Sequence, residues 1–203
     1  MIKKDKKIFE VTVLIANKNN KELIKQAKFF KVKNLIITDI NTFNLVRKKN
    51  LRKGFNIFNN YENFKKIFKS KNDFIMSSIT GLDGLKPTLN AIRFTKNILV
   101  ANKEAIICGW NLIEKEMSKN KTKFIPVDSE HFSIWSLLRE NKLSQVDKIF
   151  ITASGGPFLD LPKRKFPKIS IKSALKHPNW KMGKKISIDS ANLMNKVFEV
   201  IEA

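Results

Sequence analysis

Apolar and polar positions along the first hundred residues alternate between two periods. FEVTVLIA (9–16) is β-branched and almost continuously apolar, whereas NKELIKQAKFFKV (20–32) spaces Leu23, Ile24, Ala27 and Phe30 at helical intervals. NLIITD (34–39) is strand-like again, so the stretch predicts a βαβ unit. The rhythm continues, with NTFNLVRKKN predicting a helix, FNIFN a weak strand, YENFKKIFK a helix and DFIMSSI a strand. TGLDGLKPTLNAIRFT then predicts a glycine turn and a helix, and NILVAN a closing strand. Such alternation argues for a mostly parallel sheet with helices on its faces. Ligands of that architecture bind at the carboxyl ends of the strands, where ANKN (16–19), TGLDG (80–84) and ANKE (101–104) fall.

From about residue 123 the texture changes. KFIPVDSEH leads into a helical FSIWSLLRE, and DKIFITASGGPF is expected to run from a strand into a glycine turn. LPKRKFPKISIKSALKHPNWKMGKK, rich in Pro and Lys, reads as loop with at most one short helix. ISIDSANLMNKVFEVIEA is expected to open as a strand and close as an amphipathic helix. On that helix Asn192, Asn195, Glu199 and Glu202 form a polar stripe, with Leu193, Met194, Val197, Val200 and Ile201 on the apolar side.

Composition sets the outer bounds. A chain of 203 residues, 42% hydrophobic, has enough apolar surface for a core. Forty Lys and Arg against 18 Asp and Glu leave a formal charge of +22, which attracts anions of every kind. The lysines are scattered through a Lys-, Asn-, Ile- and Phe-rich vocabulary typical of an AT-rich genome, and no nucleic-acid motif accompanies them, so no nucleic-acid partner is expected. The single cysteine, Cys108, excludes an intramolecular disulfide and a Cys-rich zinc site. The basic start MIKKDKK leads into an apolar run broken by Glu10 with no cleavage-site pattern, and no apolar run approaches the roughly 18 residues of a membrane span. These features predict a cytoplasmic protein without a membrane partner.

Three segments carry candidate chemistry. If 124–130 is extended, Asp128 and Glu130 point to one face and repel unless a cation lies between them; alternatively they are turn acids capping the next helix. Glu199 offers a third carboxylate, and an all-oxygen set without clustered His or Cys suits Mg²⁺ or Mn²⁺. TASGGP (152–157) either cradles a phosphate with its amides and the Ser154 hydroxyl or is an ordinary turn. Ser190, Asn195 and Lys196 add a hydroxyl, an amide and a cation suited to phosphate oxygens. His177 and Trp180 lie in HPNWKMG, whose Pro and Gly suit a moving loop, with Trp180 as a cover for a ligand. No G-x-G-x-x-G occurs anywhere in the chain.

Four segments in order, LVANKEAIICG, PVDSEHFSIW, ITASGGPF and HPNWKMGKKISIDSANLMNKVFEVIEA, resemble the 1-deoxy-D-xylulose 5-phosphate reductoisomerase family. The resemblance implies an α/β chain: an incomplete Rossmann-like NADPH-binding domain over 1–125, followed by part of an α+β catalytic domain over 126–203. It implies NADPH- and metal-dependent rearrangement and reduction of 1-deoxy-D-xylulose 5-phosphate to 2-C-methyl-D-erythritol 4-phosphate, in non-mevalonate isoprenoid synthesis. By the same resemblance Asp128, Glu130 and Glu199 match metal ligands for Mn²⁺ or Mg²⁺. Ser154, Ser190, Asn195 and Lys196 match the substrate's phosphate end. Lys103, Ser129, Glu130 and Glu199 match further substrate contacts, as do His177 and Trp180 on the loop. Asn17, Lys18, Asn19, Asn102, Glu104 and Gly183 match NADPH-contacting positions. Asn17 and Val197 stand where the family usually has Gly. The family's Gly-rich opening and its C-terminal part have no counterpart, so a fragment of a homodimeric enzyme is expected; the competing expectations are an inactive remnant or a basic anion- or nucleic-acid-binding protein.

Overall fold

The computed structural model describes residues 5, 7–48 and 54–203. The chain divides into two compact units, Met1–Asn72 and Asp73–Ala203; residue 125, the end of the expected nucleotide domain, falls inside the second.

In the first unit, β1 (Val13–Ala16), α1 (Asn20–Phe30), β2 (Asn34–Ile37), α2 (Ile40–Lys48) and β3 (Asn56–Phe58) realise the expected alternation. A single helical turn, α3 (Phe64–Ile67), follows. Positions 49 and 50 of the expected second helix lie outside the described residues. The strands run parallel in the order β1-β2-β3, with Leu14 opposite Leu35 and Leu35 opposite Ile57. Being central, β2 is covered on both faces, and Leu35, Ile36 and Ile37 are wholly buried. Leu23 and Ala27 of α1 and Val46 of α2 pack onto this strand. Asn19 caps α1 by accepting the Glu22 N–H at 3.2 Å. Lys31 ends the helix in the left-handed region, its N–H satisfying late carbonyls.

The second unit continues with β4 (Asn72–Ser77), α4 (Leu85–Ile92), β5 (Thr95–Val100), α5 (Lys103–Asn120) and β6 (Lys123–Pro126). Its sheet has the order β4-β5-β6, and β5 and β6 are parallel with Val100 opposite Pro126. The long α5 falls between 103 and 122, a stretch to which the apolar pattern assigned no element. Ala91 and Ile92, Ile98 and Val100, and Ile106 and Ile113 form the core between α4, β5 and α5. Buried hydroxyls are satisfied locally: Thr88 donates to the Gly84 carbonyl, and Thr122 to the Ile92 and Thr95 carbonyls.

After β6 come α6 (Ser129–Leu138), α7 (Ile171–Ala174), α8 (Lys184–Ala191) and α9 (Met194–Glu202), linked by loops and 3₁₀ turns. Three expectations are corrected here. Residues 146–155 pair with no strand among the described residues, so ITAS is loop rather than a sheet member. ISIDSA is helical: Gly183 opens α8, and its carbonyl takes both the Ser187 N–H and hydroxyl. The third concerns α9. Its apolar side is not the buried one: Val200 is 62% exposed, while Glu199 and Glu202 of the polar stripe turn inward at 1% and 7%, and Asn192, before the helix, is exposed.

Gly84 marks the tightest backbone approach in this unit. A Cβ there would lie 2.1 Å from Asn102 Nδ2 and 2.4 Å from the Ile79 carbonyl. Gly84→Ala is therefore expected to destabilise the protein by about 1–3 kcal/mol as the Asn102 cap is pushed off its seat; urea unfolding at equilibrium measures it.

Candidate functional site

The site begins at the carboxyl ends of two adjacent parallel strands. β5 ends at Val100 and β6 at the facing Pro126, and the Val127 N–H extends the pairing to the Val100 carbonyl at 3.0 Å. The chain then turns into α5 and α6, so Lys103 and Asp128 emerge side by side, with Nζ to Oδ2 at 2.9 Å. Asn102 caps α5, accepting the Ala105 N–H at 3.0 Å and donating to the Gly81 carbonyl at 2.8 Å. Asp128 is the N-cap residue of α6 and Glu130 lies in its first turn. The premise of a strand through residue 130 is thus wrong. Both acids instead sit at the positive end of a helix, where their charge is favoured.

Helix α9 packs against α5 and α6 and brings the third carboxylate. Oxygens of Asp128, Glu130 and Glu199 lie within 4.8 Å of one another. Lys103 Nζ also contacts Glu199 Oε1 at 3.3 Å and donates to Asn195 Oδ1 at 2.9 Å. Lys196 Nζ contacts Glu130 Oε1 at 2.6 Å, the Thr152 carbonyl at 2.7 Å and, closer still, Glu199 Oε2. Asn195 donates to Glu199 Oε1. Asp128 Oδ1 is buried and makes no hydrogen bond.

These contacts set the protonation states. Burial raises the Glu130 pKa, but the Lys196 ammonium and the Ser129 hydroxyl outweigh it and hold the carboxyl down to about 2. Burial would lower Lys103, yet Asp128 and Glu199 keep it above the ordinary lysine value; Lys196 is raised in the same way by Glu130 and Glu199. Two ammonium groups, Lys103 and Lys196, therefore stand among the three acids, with the Glu130 carboxylate held strongly ionised. An all-oxygen donor set with a buried, unbonded carboxylate oxygen fits a hard divalent cation.

Beside the acids opens a cleft of about 450 Å³, lined on its far side by Ser154, His177, Trp180 and Ser190. His177 Nδ1 accepts the Asn179 and Trp180 N–H groups, which leaves the ring proton on Nε2, 2.9 Å from Ser154 Oγ. The Ser154 and Ser190 hydroxyls are 3.4 Å apart. Their spacing follows from Gly156 (φ +64°), where a Cβ would meet the Ser190 carbonyl at 2.8 Å. Trp180 is 65% exposed over the opening.

The expected nucleotide positions divide between the units. In the first, Asn17 donates to Thr38 Oγ1 at 2.8 Å, Lys18 is exposed and Asn19 is the α1 cap. In the second, Asn102 is buried as a cap and Gly183 opens α8. Glu104 there accepts from Lys185 at 2.9 Å, which also reaches Asp189 at 2.6 Å. Ser129 bonds to Glu130. Two features escaped the sequence. Glu202, buried at the end of the stripe, has Oε1 3.1 Å from His131 Nδ1 on α6. The Thr152 carbonyl, a backbone acceptor for Lys196, has no side-chain signal at all.

Residues 1–109 match the family described as 1-deoxy-D-xylulose 5-phosphate reductoisomerase, and residues 124–203 match its C-terminal domain. The chain is similar to 1-deoxy-D-xylulose 5-phosphate reductoisomerase of Pelagibacter ubique, at 59% identity over all of this chain and 53% of the relative. It is also similar to that of Caldanaerobacter subterraneus, at 41% identity over 98% of this chain and 52% of the relative. Among solved structures, the Zymomonas mobilis reductoisomerase in complex with NADPH superposes with a TM-score of 0.85 at 33% identity, covering 100% of this chain and 52% of that one. A reductoisomerase in complex with NADPH, fosmidomycin and magnesium superposes at 0.84 with 31% identity and the same coverage. The chain spans about half the length of the relatives it matches.

Gly156→Ala is expected to lower stability by about 1 kcal/mol or more, since Ala must adopt a positive φ and displace Ser190. Gly183→Ala, whose Cβ meets nothing within 4 Å, is expected to change it by less than about 0.5 kcal/mol. Paired urea melts of the two variants test the difference.

Proposed function

Because the chain belongs to the 1-deoxy-D-xylulose 5-phosphate reductoisomerase family, we propose that its cleft is the metal and substrate half of that enzyme's active site. The observation that carries this reading is Glu199. It comes from the far end of the sequence, is almost wholly buried, and still reaches the Asp128–Glu130 pair to within 4.8 Å.

In this reading Asp128, Glu130 and Glu199 hold Mg²⁺ or Mn²⁺, which when bound supplies a Lewis acid to the substrate's ketone and hydroxyl oxygens. Lys103 and Ser129 orient those oxygens from the N-termini of α5 and α6. Ser154, Ser190, Asn195 and Lys196 receive the phosphate, two hydroxyls and an amide around one ammonium. His177 holds Ser154 in place and contacts the substrate, and Trp180 closes over it to exclude water from the reacting carbons. NADPH, the ligand named for the Zymomonas mobilis structure, would be met by Asn17, Lys18, Asn19, Asn102, Glu104 and Gly183. The functional division at 125/126 and a homodimer of the full-length polypeptide belong to the same proposal, as does a cytoplasmic location. Among the described residues no helix is long and apolar enough to cross a membrane.

Saturating Mn²⁺ is expected to raise the melting temperature, and Asp128→Asn to remove the rise. A metal-dependent rise that survives in both Asp128→Asn and Glu199→Gln would refute this assignment of ligands. Oxidation of NADPH with 1-deoxy-D-xylulose 5-phosphate, followed at 340 nm on this chain and on a lengthened one, tests the reaction itself.

A further inference from the structure

Lys196 occupies a position that its proposed phosphate role does not explain. Its ammonium is half-buried and engaged by acids and a backbone carbonyl. It touches Glu130 Oε1 at 2.6 Å and Glu199 Oε2, and donates to the Thr152 carbonyl at 2.7 Å. Those two carboxylates belong to the cluster whose oxygens converge to within 4.8 Å. Lys103 meets the same cluster from the other side, through Asp128 and Glu199. A divalent ion among these oxygens would be a third cation in the cluster, facing the Lys196 ammonium across Glu130 and Glu199 at close range, where repulsion between like charges rises steeply.

Resting on the metal-site reading above, we propose that Lys196 is an internal counter-ion that exchanges with the divalent cation: metal entry expels its ammonium from Glu130 and Glu199 and delivers it to the hydroxyl side of the cleft, where it binds a phosphate. Three features of the chain permit the exchange. Lys196 has a flexible four-carbon stem ending in a point charge, suited to changing partners without moving the helix. Its backbone acceptor, Thr152, is two residues from Ser154, so the ammonium already stands at the base of the turn that lines the anion side. Asn195 and Lys103, bonded to each other and to Glu199, keep that carboxylate oriented while Lys196 leaves.

Metal and phosphate binding are then linked through one side chain, and the linkage is reciprocal. Free Mn²⁺ measured by electron paramagnetic resonance gives metal affinity without any turnover, and calorimetry with inorganic phosphate gives anion affinity. In the unmodified chain, saturating Mn²⁺ is expected to tighten phosphate binding by about fivefold or more. Lys196→Met is expected to tighten Mn²⁺ binding in the absence of phosphate and to abolish most of that coupling. Lys181→Met, which removes a charge outside the acid cluster, controls for the general field and is expected to do neither. Equal Mn²⁺ affinity in Lys196→Met and the unmodified chain would overturn the exchange while leaving the metal site standing. Absence of Mn²⁺ binding in both would overturn the site and the exchange together. Persistence of the full coupling in Lys196→Met would show that phosphate responds to the metal's charge alone, and the exchange would fall.

Discussion

Three carboxyl groups whose oxygens lie within 4.8 Å of one another, one of them 1% exposed, repel one another unless cations lie among them. Lys103 and Lys196 supply those cations, and each is fixed by a different part of the fold. Lys103 is the first residue of the longest helix, a poor place for a positive charge as far as the helix dipole is concerned. It is tolerable because the neighbouring strand delivers Asp128 to the same spot. Lys196 lies on α9 itself, one turn before Glu199, so the helix carries both an acid and its partial neutralisation.

The rest of the second unit serves that arrangement. Parallel pairing of β5 with β6 puts two helix N-termini next to each other, and N-termini favour the negative charges that Asp128 and Glu130 bring. Asn102 and Gly84 fix where α5 begins, through a cap that also binds the 79–81 backbone. Gly156 then presses the TASGG turn onto α8, so the hydroxyls of Ser154 and Ser190 face one another across a short gap. Backbone contacts set the distances, and side chains inherit them.

Much of this is legible in the sequence. The βαβ alternation is a property of period, and it survived because β2 and β5 are rich in apolar residues over the lengths a buried strand needs. Asp128, Glu130 and Glu199 were drawn together by the family resemblance, and the fold does bring them together. What failed did so for physical reasons. ITAS has the composition of a strand but no neighbour to pair with among the described residues, and composition cannot supply a hydrogen-bonding partner. ISIDSA alternates apolar and polar residues with a strand's period; Gly183 starts a helix there because its carbonyl is taken by Ser187. The extended reading of 124–130 erred because Asp128 begins a helix. That Lys196 lies beside Glu199 follows from helical spacing, but its pairing with Glu130 does not, since a side chain four carbons long has several partners within reach and sequence does not say which wins.

Helix α9 reverses the usual logic of an amphipathic helix. It turns Glu199 and Glu202 toward α5 and α6, while Val197, Val200 and Ile201 look outward. Any redesign guided by hydropathy would read this helix as misassembled and exchange its buried acids for leucine and its outward valines for lysine. Such a repair would improve every score of solubility and core composition, and it would begin by deleting Glu199, the acid that α9 contributes to the Asp128–Glu130 cluster.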